Sequence, residues 1–383
     1  MRTLSTLLGL PQHRFASVHV VGTNGKSSVT RMVAALLEAH GAPSGACVSP
    51  HAERWSERVL IHGDEIGAAA FAAAVERAAV AAEAVNRGLA EGEAVTQFEL
   101  ATAAAFVALA AAGVEAAAVE AGLGGRLDAT NTIPSKVTVL TSIGRDHTEW
   151  LGESEEEIAA EKLAVLRDHS TLVLGRVSPA VAALAERTAA ERGAELIVAA
   201  EDPGPELRLR AAGRFQRRNF ALAMAAAEAF LGELDRASVA AVAASLVVPG
   251  RLEAIAGDPP ALLDAAHNPA GAAALAEALP EAAAGRPVTA VLAIPAGKDA
   301  AGMVEALAPT LEHVVATRLP TADGLAAGEL ASLCERAGLA VEVVDDFAAA
   351  VTRGGELARC SGGVLLVTGS HYALAPARAA LVS

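Results

Sequence analysis

At 383 residues the chain is long for a single core and suits two domains. Hydrophobic residues make up 53% of it, much of that alanine, while aromatics reach only 3%, so the helices should pack closely with few large anchors. A formal net charge of −15 argues against a protein built to coat nucleic acid or an anionic membrane, and an anionic ligand would need locally concentrated positive charge.

The cysteines, Cys47, Cys334 and Cys360, lack metal-ligand spacing and leave an odd count, which implies no disulfide framework and suits a reducing cytoplasm. Leu4 to Leu10 is a short apolar run followed by Pro11-Gln12-His13 without a small-residue cleavage site, so no signal peptide is read there. The longest uncharged run, Leu100 to Val114, is too short to span a bilayer. A soluble cytoplasmic protein is expected, with a monomer as the default.

The first patterned stretch, Val18 to Leu37, reads as strand, Gly-rich turn and helix. Val18, Val20 and Val21 suit a buried strand, and Val29, Met32, Val33, Leu36 and Leu37 recur at helical spacing. A turn of this kind aims backbone N–H groups and the positive end of a helix dipole at one spot, which attracts phosphate. Lys26 would reach terminal phosphates, and Ser27 or Ser28 would supply a hydroxyl to the phosphates or to Mg²⁺. The usual phosphate loop has a further glycine where Val20 stands, and Gly22 serves instead.

Gly45 to Ser49 reads as a second short strand, running into a polar stretch, Pro50 to Arg58, that reads either as a functional loop or as a surface connection. Gly67 to Ala90 is an alanine-rich helix. Thr96 and Glu99 have the spacing of a capping box that opens a helix over Leu100 to Ala112. Val114 to Glu120 is a strand with a carboxylate at its C-terminal end, followed by a Gly-rich run to Asn131. Lys136 to Ser142 repeats the arrangement and ends near Asp146-His147. Ligands gather at strand C-termini in open α/β sheets, so Glu120 would face the crevice of the phosphate loop. A helix capped by Ser154 carries Lys162. Then follow a strand (Leu172 to Leu174), a helix (Ala180 to Arg192) and a strand (Glu195 to Ala199).

Arg208 to Arg218 is the most basic short stretch, and Gln216 to Asn219 opens another helix ending near Leu231. Val247-Val248-Pro249-Gly250-Arg251 reads as a hinge. Strands are then expected over Ala261 to Ala265, Val288 to Ile294, Val314 to Thr317, Val341 to Val344 and Gly363 to Thr368, with helices between them. Three polar clusters fall at strand ends: Asp264 with His267-Asn268, Lys298-Asp299, and Gly369 to Tyr372. The fold class read from this pattern is α/β. A phosphate-loop-containing, mainly parallel sheet domain over 1–247 is followed by a hinge over 248–252 and a smaller Rossmann-like α/β domain over 253–383.

Taken together, the clusters resemble the folylpolyglutamate synthase and dihydrofolate synthase family within the Mur-ligase superfamily. The resemblance rests on Leu8 to Pro11 with Phe15, Gly22-Thr23-Asn24-Gly25-Lys26, Ser49-Pro50-His51 with Glu57-Arg58, and Thr96 to Glu99. It continues through Glu120 to Asn131, Ser142 to His147, Glu161-Lys162, Gln216 with Asn219, Pro249 to Arg251, and Asp264 to Pro269.

The resemblance implies an ATP-dependent ligase that phosphorylates a pteroate or folate carboxylate, which the amine of L-glutamate then attacks to form an amide. By resemblance, Gly22 to Ser28 cradle the phosphates and Ser49 with Glu120 holds a first Mg²⁺. His147 holds a second metal, and Lys162 matches a lysine carried as a carbamate. Gln216 and Asn219 lie near the nucleotide, Arg251 meets ATP phosphates, and Asp264 with His267 closes over ATP. Two departures stand out: Ser27 replaces a glycine of the family loop, and Ala265 replaces the glycine of Asp-Gly-Ala-His. Two alternatives remain at this level, another Mur-type ligase acting on a different acid and a phosphate-loop phosphotransferase that forms no amide. The two departures also leave room for an inactive homologue that only binds ligand.

Overall fold

The computed structural model describes residues 1–321 and 323–382 and divides into two units. The first comprises Met1–Arg208 with Arg217–Leu246, and the second comprises Leu209–Gln216 with the chain from Val247 onward.

In the first unit the elements are α1 (Arg2–Leu7), β1 (Ala16–Val21), α2 (Lys26–Ala39), β2 (Ser44–Cys47), β3 (Val59–Ile61), β4 (Asp64–Glu65), α3 (Ala68–Asn86), α4 (Gln97–Ala111) and β5 (Ala116–Glu120). They continue with β6 (Ser135–Leu140), α5 (Thr148–Leu151), α6 (Glu155–Leu163), β7 (Thr171–Leu174), α7 (Pro179–Arg192), β8 (Glu195–Val198), α8 (Arg214–Leu231), whose first residues belong to the second unit, and α9 (Arg236–Ser245). The strands form one sheet in the order β4-β3-β2-β5-β1-β6-β7-β8. From β2 to β8 the pairing is parallel, and β3 and β4 fold back antiparallel at one edge.

β1 is central, and Val18, Val20 and Val21 are fully buried, as a strand covered on both faces requires. Its register sets Val20 beside Glu120 and Val21 beside Leu140, which aligns the C-terminal ends of β5, β1 and β6. One core joins Leu4 of α1, Ala78 of α3 and Phe106 of α4 to Val119 of β5. Another joins Val21 and Leu140 to Leu163 of α6 and Val181 of α7. The uncharged run over Leu100 to Val114 is explained by α4, which is buried from Thr102 to Leu109 with alanines at close approach. No helix among the described residues is long and apolar enough to cross a membrane.

The second unit contains β9 (Glu253–Ile255), β10 (Ala261–Leu263), α10 (Pro269–Ala282), β11 (Val288–Leu292), α11 (Ala300–Leu307), β12 (His313–Ala316), α12 (Ala327–Arg336), β13 (Ala340–Val343), α13 (Phe347–Cys360), β14 (Val364–Thr368) and α14 (Leu374–Val382). Its sheet order is β13-β12-β11-β14-β10-β9, parallel except for β9. Leu262, Leu292, Val314 and Leu366 meet Leu275, Met303 and Leu330 in its core.

The expected elements are present, with shifts that have local causes. The strand expected to reach Ala265 stops at Leu263, because Asp264 curls the chain by accepting the Ala266 N–H at 2.8 Å. The methyl of Ala265 therefore falls beyond the strand, in the turn into α10. The polar stretch after Ser49 ends in a 3₁₀ turn, Trp55–Arg58, before β3 returns along β2.

Candidate active site

The turn between β1 and α2 is fastened to the exit of β6. Thr23 N–H donates to Ser142 O at 2.8 Å, and Asn24 N–H donates to Ser142 Oγ at 3.1 Å. Thr141 Oγ1 donates to Asn24 O at 2.7 Å. Gly25 caps α2 at φ +86°, and a Cβ there would lie 2.7 Å from Asn219 Oδ1, so glycine is needed for both reasons. No side chain caps the helix at Gly25, so its first turn has the uncapped N–H groups that an anion-binding helix N-terminus requires. The Lys26 ammonium donates to Thr23 O at 3.2 Å, over the same turn.

The sequence leaves Ser27 and Ser28 as alternatives, and the geometry separates them. Ser28 is 1% exposed. Ser27 Oγ lies 2.9 Å from Glu120 Oε1 and 3.2 Å from Ser49 O, while Ser49 N–H donates to Glu120 Oε2 at 2.9 Å. Two segments thus converge on the Glu120 carboxylate, itself only 3% exposed. Burial beside Glu120 pushes the Cys47 thiol up to about 12, so that sulfur stays protonated and inert.

The chain after Ser49 is clamped by Glu57, whose carboxylate accepts the N–H groups of Ala52, Glu53 and Arg54 at 2.8 to 3.0 Å. The Arg58 guanidinium and the His51 ring both lie 4.5 Å from the Trp55 ring centroid, and Arg58 Nε donates to His51 Nδ1 at 2.8 Å. Glu99 closes the expected capping box with Thr96.

The Gly-rich run after Glu120 is held by a buried chain that sequence reading misses. Asp128 accepts the N–H groups of Leu123 and Thr130 at 2.8 and 2.9 Å and also the Thr130 hydroxyl. With its proton given to Asp128, Thr130 Oγ1 accepts from His19 Nε2 at 2.8 Å. Burial, reinforced by Arg167, lowers the His19 pKa to about 3, so the ring is neutral. The Asp-Ala-Thr spacing, a carboxylate two residues before a hydroxyl, is the one local signal of this arrangement.

Lys162 lies in the last turn of α6 at 4% exposure. Burial and the charge of Lys26 bring its pKa to about 7, against the opposing pull of Asp146, Asp128 and Glu161. Gly125 passes so near that a Cβ would lie 2.7 Å from Glu161 O and 2.8 Å from Lys162 O. His147 heads α5 at φ +54°, its ring about 3.8 Å from Asp146 Oδ1. Among the described residues no group of three His, Cys, Asp or Glu side chains is gathered for a metal. Ser27, Ser49 and Glu120 are brought together, and His147 stands on a separate loop.

The second unit's polar edge is mostly occupied by caps. Asn268 and Asp299 accept the N–H groups of Gly271 and Gly302 and so begin α10 and α11. His267 Nδ1 donates to Ala265 O at 2.9 Å, leaving Nε2 as the outer nitrogen. Asp264 is 4% exposed, and both its oxygens accept backbone N–H groups. Gln216 is fully buried at the start of α8, and Asn219, a turn later, lies against Gly25.

Residues 20–227 match the Mur ligase middle domain, and residues 250–371 match the Mur ligase glutamate ligase domain. The dihydrofolate synthase/folylpolyglutamate synthase of Mycobacterium tuberculosis is 35% identical, over 98% of this chain and 88% of that protein. The structure of Mycobacterium tuberculosis folylpolyglutamate synthase complexed with ADP and AMPPCP superposes with a TM-score of 0.94 at 32% identity, covering 100% of this chain and 94% of that one. Escherichia coli FolC in complex with DHPP and ADP gives 0.85 at 28% identity, covering 97% and 90%. The Yersinia pestis bifunctional enzyme, complexed with AMPPNP and Mn ion, gives 0.85 at 28%, covering 99% and 92%. The chain belongs to the dihydrofolate synthase/folylpolyglutamate synthase family, ATP-dependent glutamate ligases built on the Mur-ligase domains.

Proposed function

We propose that this protein uses ATP to activate the carboxylate of a dihydropteroate or folate and joins it to the amine of L-glutamate, with Mg²⁺ as the divalent ion. The observation that carries the reading is the convergence of Ser27, Ser49 and Glu120 at the end of the phosphate-binding turn. A buried carboxylate with hydroxyl and carbonyl oxygens beside it is a hard oxygen donor set, which fits a Mg²⁺ ion. When bound there, the ion would neutralise charge on the transferring phosphoryl group.

The chain's own groups supply the rest. The first turn of α2 and Lys26 bind the phosphate oxygens and fix the γ-phosphate in line with the acceptor carboxylate. Glu120 would hold the ion, and Ser27 orients Glu120. Gln216 and Asn219 are assigned to the nucleotide, Arg251 to its phosphates, and Asp264 with His267 to ATP. Transfer to the substrate carboxylate gives an acyl phosphate; glutamate nitrogen displaces phosphate and loses a proton as the amide forms. His147 and Lys162 serve the acyl phosphate side. With a pKa of about 7, a large share of Lys162 is the free amine at neutral pH. That amine adds to CO₂ and releases one proton, and the resulting carbamate carries the negative charge needed beside a second cation.

Residues 1–247 are proposed as the nucleotide-binding domain, 248–252 as the linker and 253–383 as the glutamate ligase domain, in a cytoplasmic monomer. ATP turnover that requires both dihydropteroate, or a folate, and glutamate is the expected result. Turnover indifferent to the pterin would overturn the substrate, and ADP formed with a phosphorylated product and no amide would overturn the ligase.

A further inference from the structure

The Gly-rich run after Glu120 is fastened on two sides. Towards α6, Arg126 N–H donates to Glu161 O at 3.1 Å and its guanidinium pairs with the Glu161 carboxylate at 3.2 Å, while Gly125 rests against the backbone of Glu161 and Lys162. Arg167, just beyond α6, donates to Asn131 O and Oδ1 at 2.8 Å and to Ile133 O at 3.1 Å, and so holds the far end. Towards β1 the link is Thr130, whose hydroxyl donates to Asp128 Oδ1 and accepts from His19 Nε2 at 2.8 Å. Asp128 passes the constraint on, its other oxygen accepting Leu123 N–H at 2.8 Å. His19 and Thr130 are both fully buried. Thr130 has one proton and gives it to the carboxylate, so the imidazole carries its own on Nε2. Its buried Nδ1 has no hydrogen-bond partner among the described residues, so a second N–H there would go unreceived and the direction of donation is fixed.

We propose that His19 and Thr130 are positioning residues of the ligase reaction: with Asp128 they set how far the 122–127 run stands from β1, and through it the separation of Glu120 from Lys162. The inference rests on the proposed assignment of Glu120 to the divalent ion and of Lys162 to the acyl phosphate side. Glu120 is placed by the strand ladder, beside Val20 and one position after His19. Lys162 has no such ruler. Ala159 and Leu163 of α6 pack with Val21 and Leu140, and apolar contact of that kind holds a helix to a sheet without fixing its register. The bonds from Arg126 to Glu161 supply the register, and the relay ties the segment of Arg126 to β1. Valine in place of Thr130 has the same shape but can neither donate to Asp128 nor accept from His19, which leaves both unpaired at that point. Serine keeps the hydroxyl and both bonds.

The test reads kcat, the KM for ATP and ADP affinity on the full chain, with dihydropteroate, glutamate and Mg²⁺ in the assay. Thr130→Val is expected to lower kcat roughly tenfold while the KM and ADP affinity stay within about twofold, and Thr130→Ser to restore kcat. His19→Leu should slow the reaction roughly threefold, with the double variant no slower than Thr130→Val alone. A Thr130→Val enzyme that loses stability but keeps kcat would overturn the positioning role, as would losses that multiply in the double variant. Wild-type protein that forms no amide would overturn the ligase reading and the inference with it, whereas failure of the relay alone leaves the wild-type rate intact. Hydrogen exchange on the unmutated protein reads the same relay if Thr130→Val does not fold. The Leu123, Arg126 and Thr130 amides are expected to open as one unit with a common protection. A Leu123 amide that exchanges freely while Arg126 stays protected would overturn the proposal.

Discussion

The Ser27 hydroxyl donates to Glu120 Oε1 across 2.9 Å, although the two residues lie 93 positions apart in the chain. This bond orients a carboxylate proposed to face the divalent ion. Replacing Ser27 by the family's glycine is expected to leave a folded, active enzyme whose half-saturating Mg²⁺ rises roughly threefold to tenfold. Glu120→Ala should raise it further. A metal titration of ATP turnover checks both, and an unchanged requirement in either variant would remove that residue from the ion's environment.

Lys162 couples stability to pH. Its pKa falls from 10.5 to about 7 on folding, so between these values the unfolded chain holds a proton that the folded protein has released. Stability contributed at this site rises with pH across that window, and the cost of burial is fully present below about 7. Lys162→Met is expected to flatten the dependence of Tm on pH between those limits. For the carbamate, wild-type activity should fall in CO₂-depleted buffer and return with bicarbonate, while Lys162→Ala stays slow with or without it. An alanine variant as fast as wild type in bicarbonate would end the carbamate assignment.

His19 acts in the acid range. Its ring is neutral down to about 3 in the folded state and takes a proton at 6.5 when unfolded, so stability is lost as pH falls from 6.5 towards 3. His19→Gln should unfold at lower pH than wild type in an acid titration followed by circular dichroism. Thr130→Val removes the middle of the chain to Asp128 and is expected to cost about 1–3 kcal/mol in urea unfolding.

Gly125→Ala tests how closely the run after Glu120 must approach α6. The added methyl would lie 2.7 Å from Glu161 O and 2.8 Å from Lys162 O, both backbone atoms that cannot swing aside. Displacing the segment that carries Lys162 should lower kcat by roughly a hundredfold while ADP affinity changes little. A variant with wild-type kcat would show that α6 has room to move.

Much of the fold was legible because each cue was local. Val18 to Val21 announced a buried strand, Thr96 and Glu99 a helix start, and the polar residues at strand ends an open α/β edge. The shortest elements escaped. β4 spans Asp64–Glu65 alone, and β9 is antiparallel in a sheet whose other strands are parallel, so neither leaves a periodic pattern. The family resemblance named Ser27 and Glu120 separately, but their bond depends on strand order, which no local window contains. His19 and Thr130 illustrate the same limit, being 111 positions apart and joined only when β1 lies beside the loop after β5. Asp264 shows a different one: its residue type was legible, whereas its engagement with the backbone of Leu252 was not.

β1 pairs with β5 on one side and β6 on the other, Val20 aligned with Glu120 and Val21 with Leu140. Neighbouring strands stand about 4.8 Å apart, so the hydrogen-bond ladder acts as a ruler whose unit is fixed by the peptide group rather than by any side chain. The distances among the phosphate turn, Glu120 and the exit of β6 are inherited from that ruler. Substitutions in the helices or in the loops beyond can therefore accumulate without changing the spacing of these three strand ends.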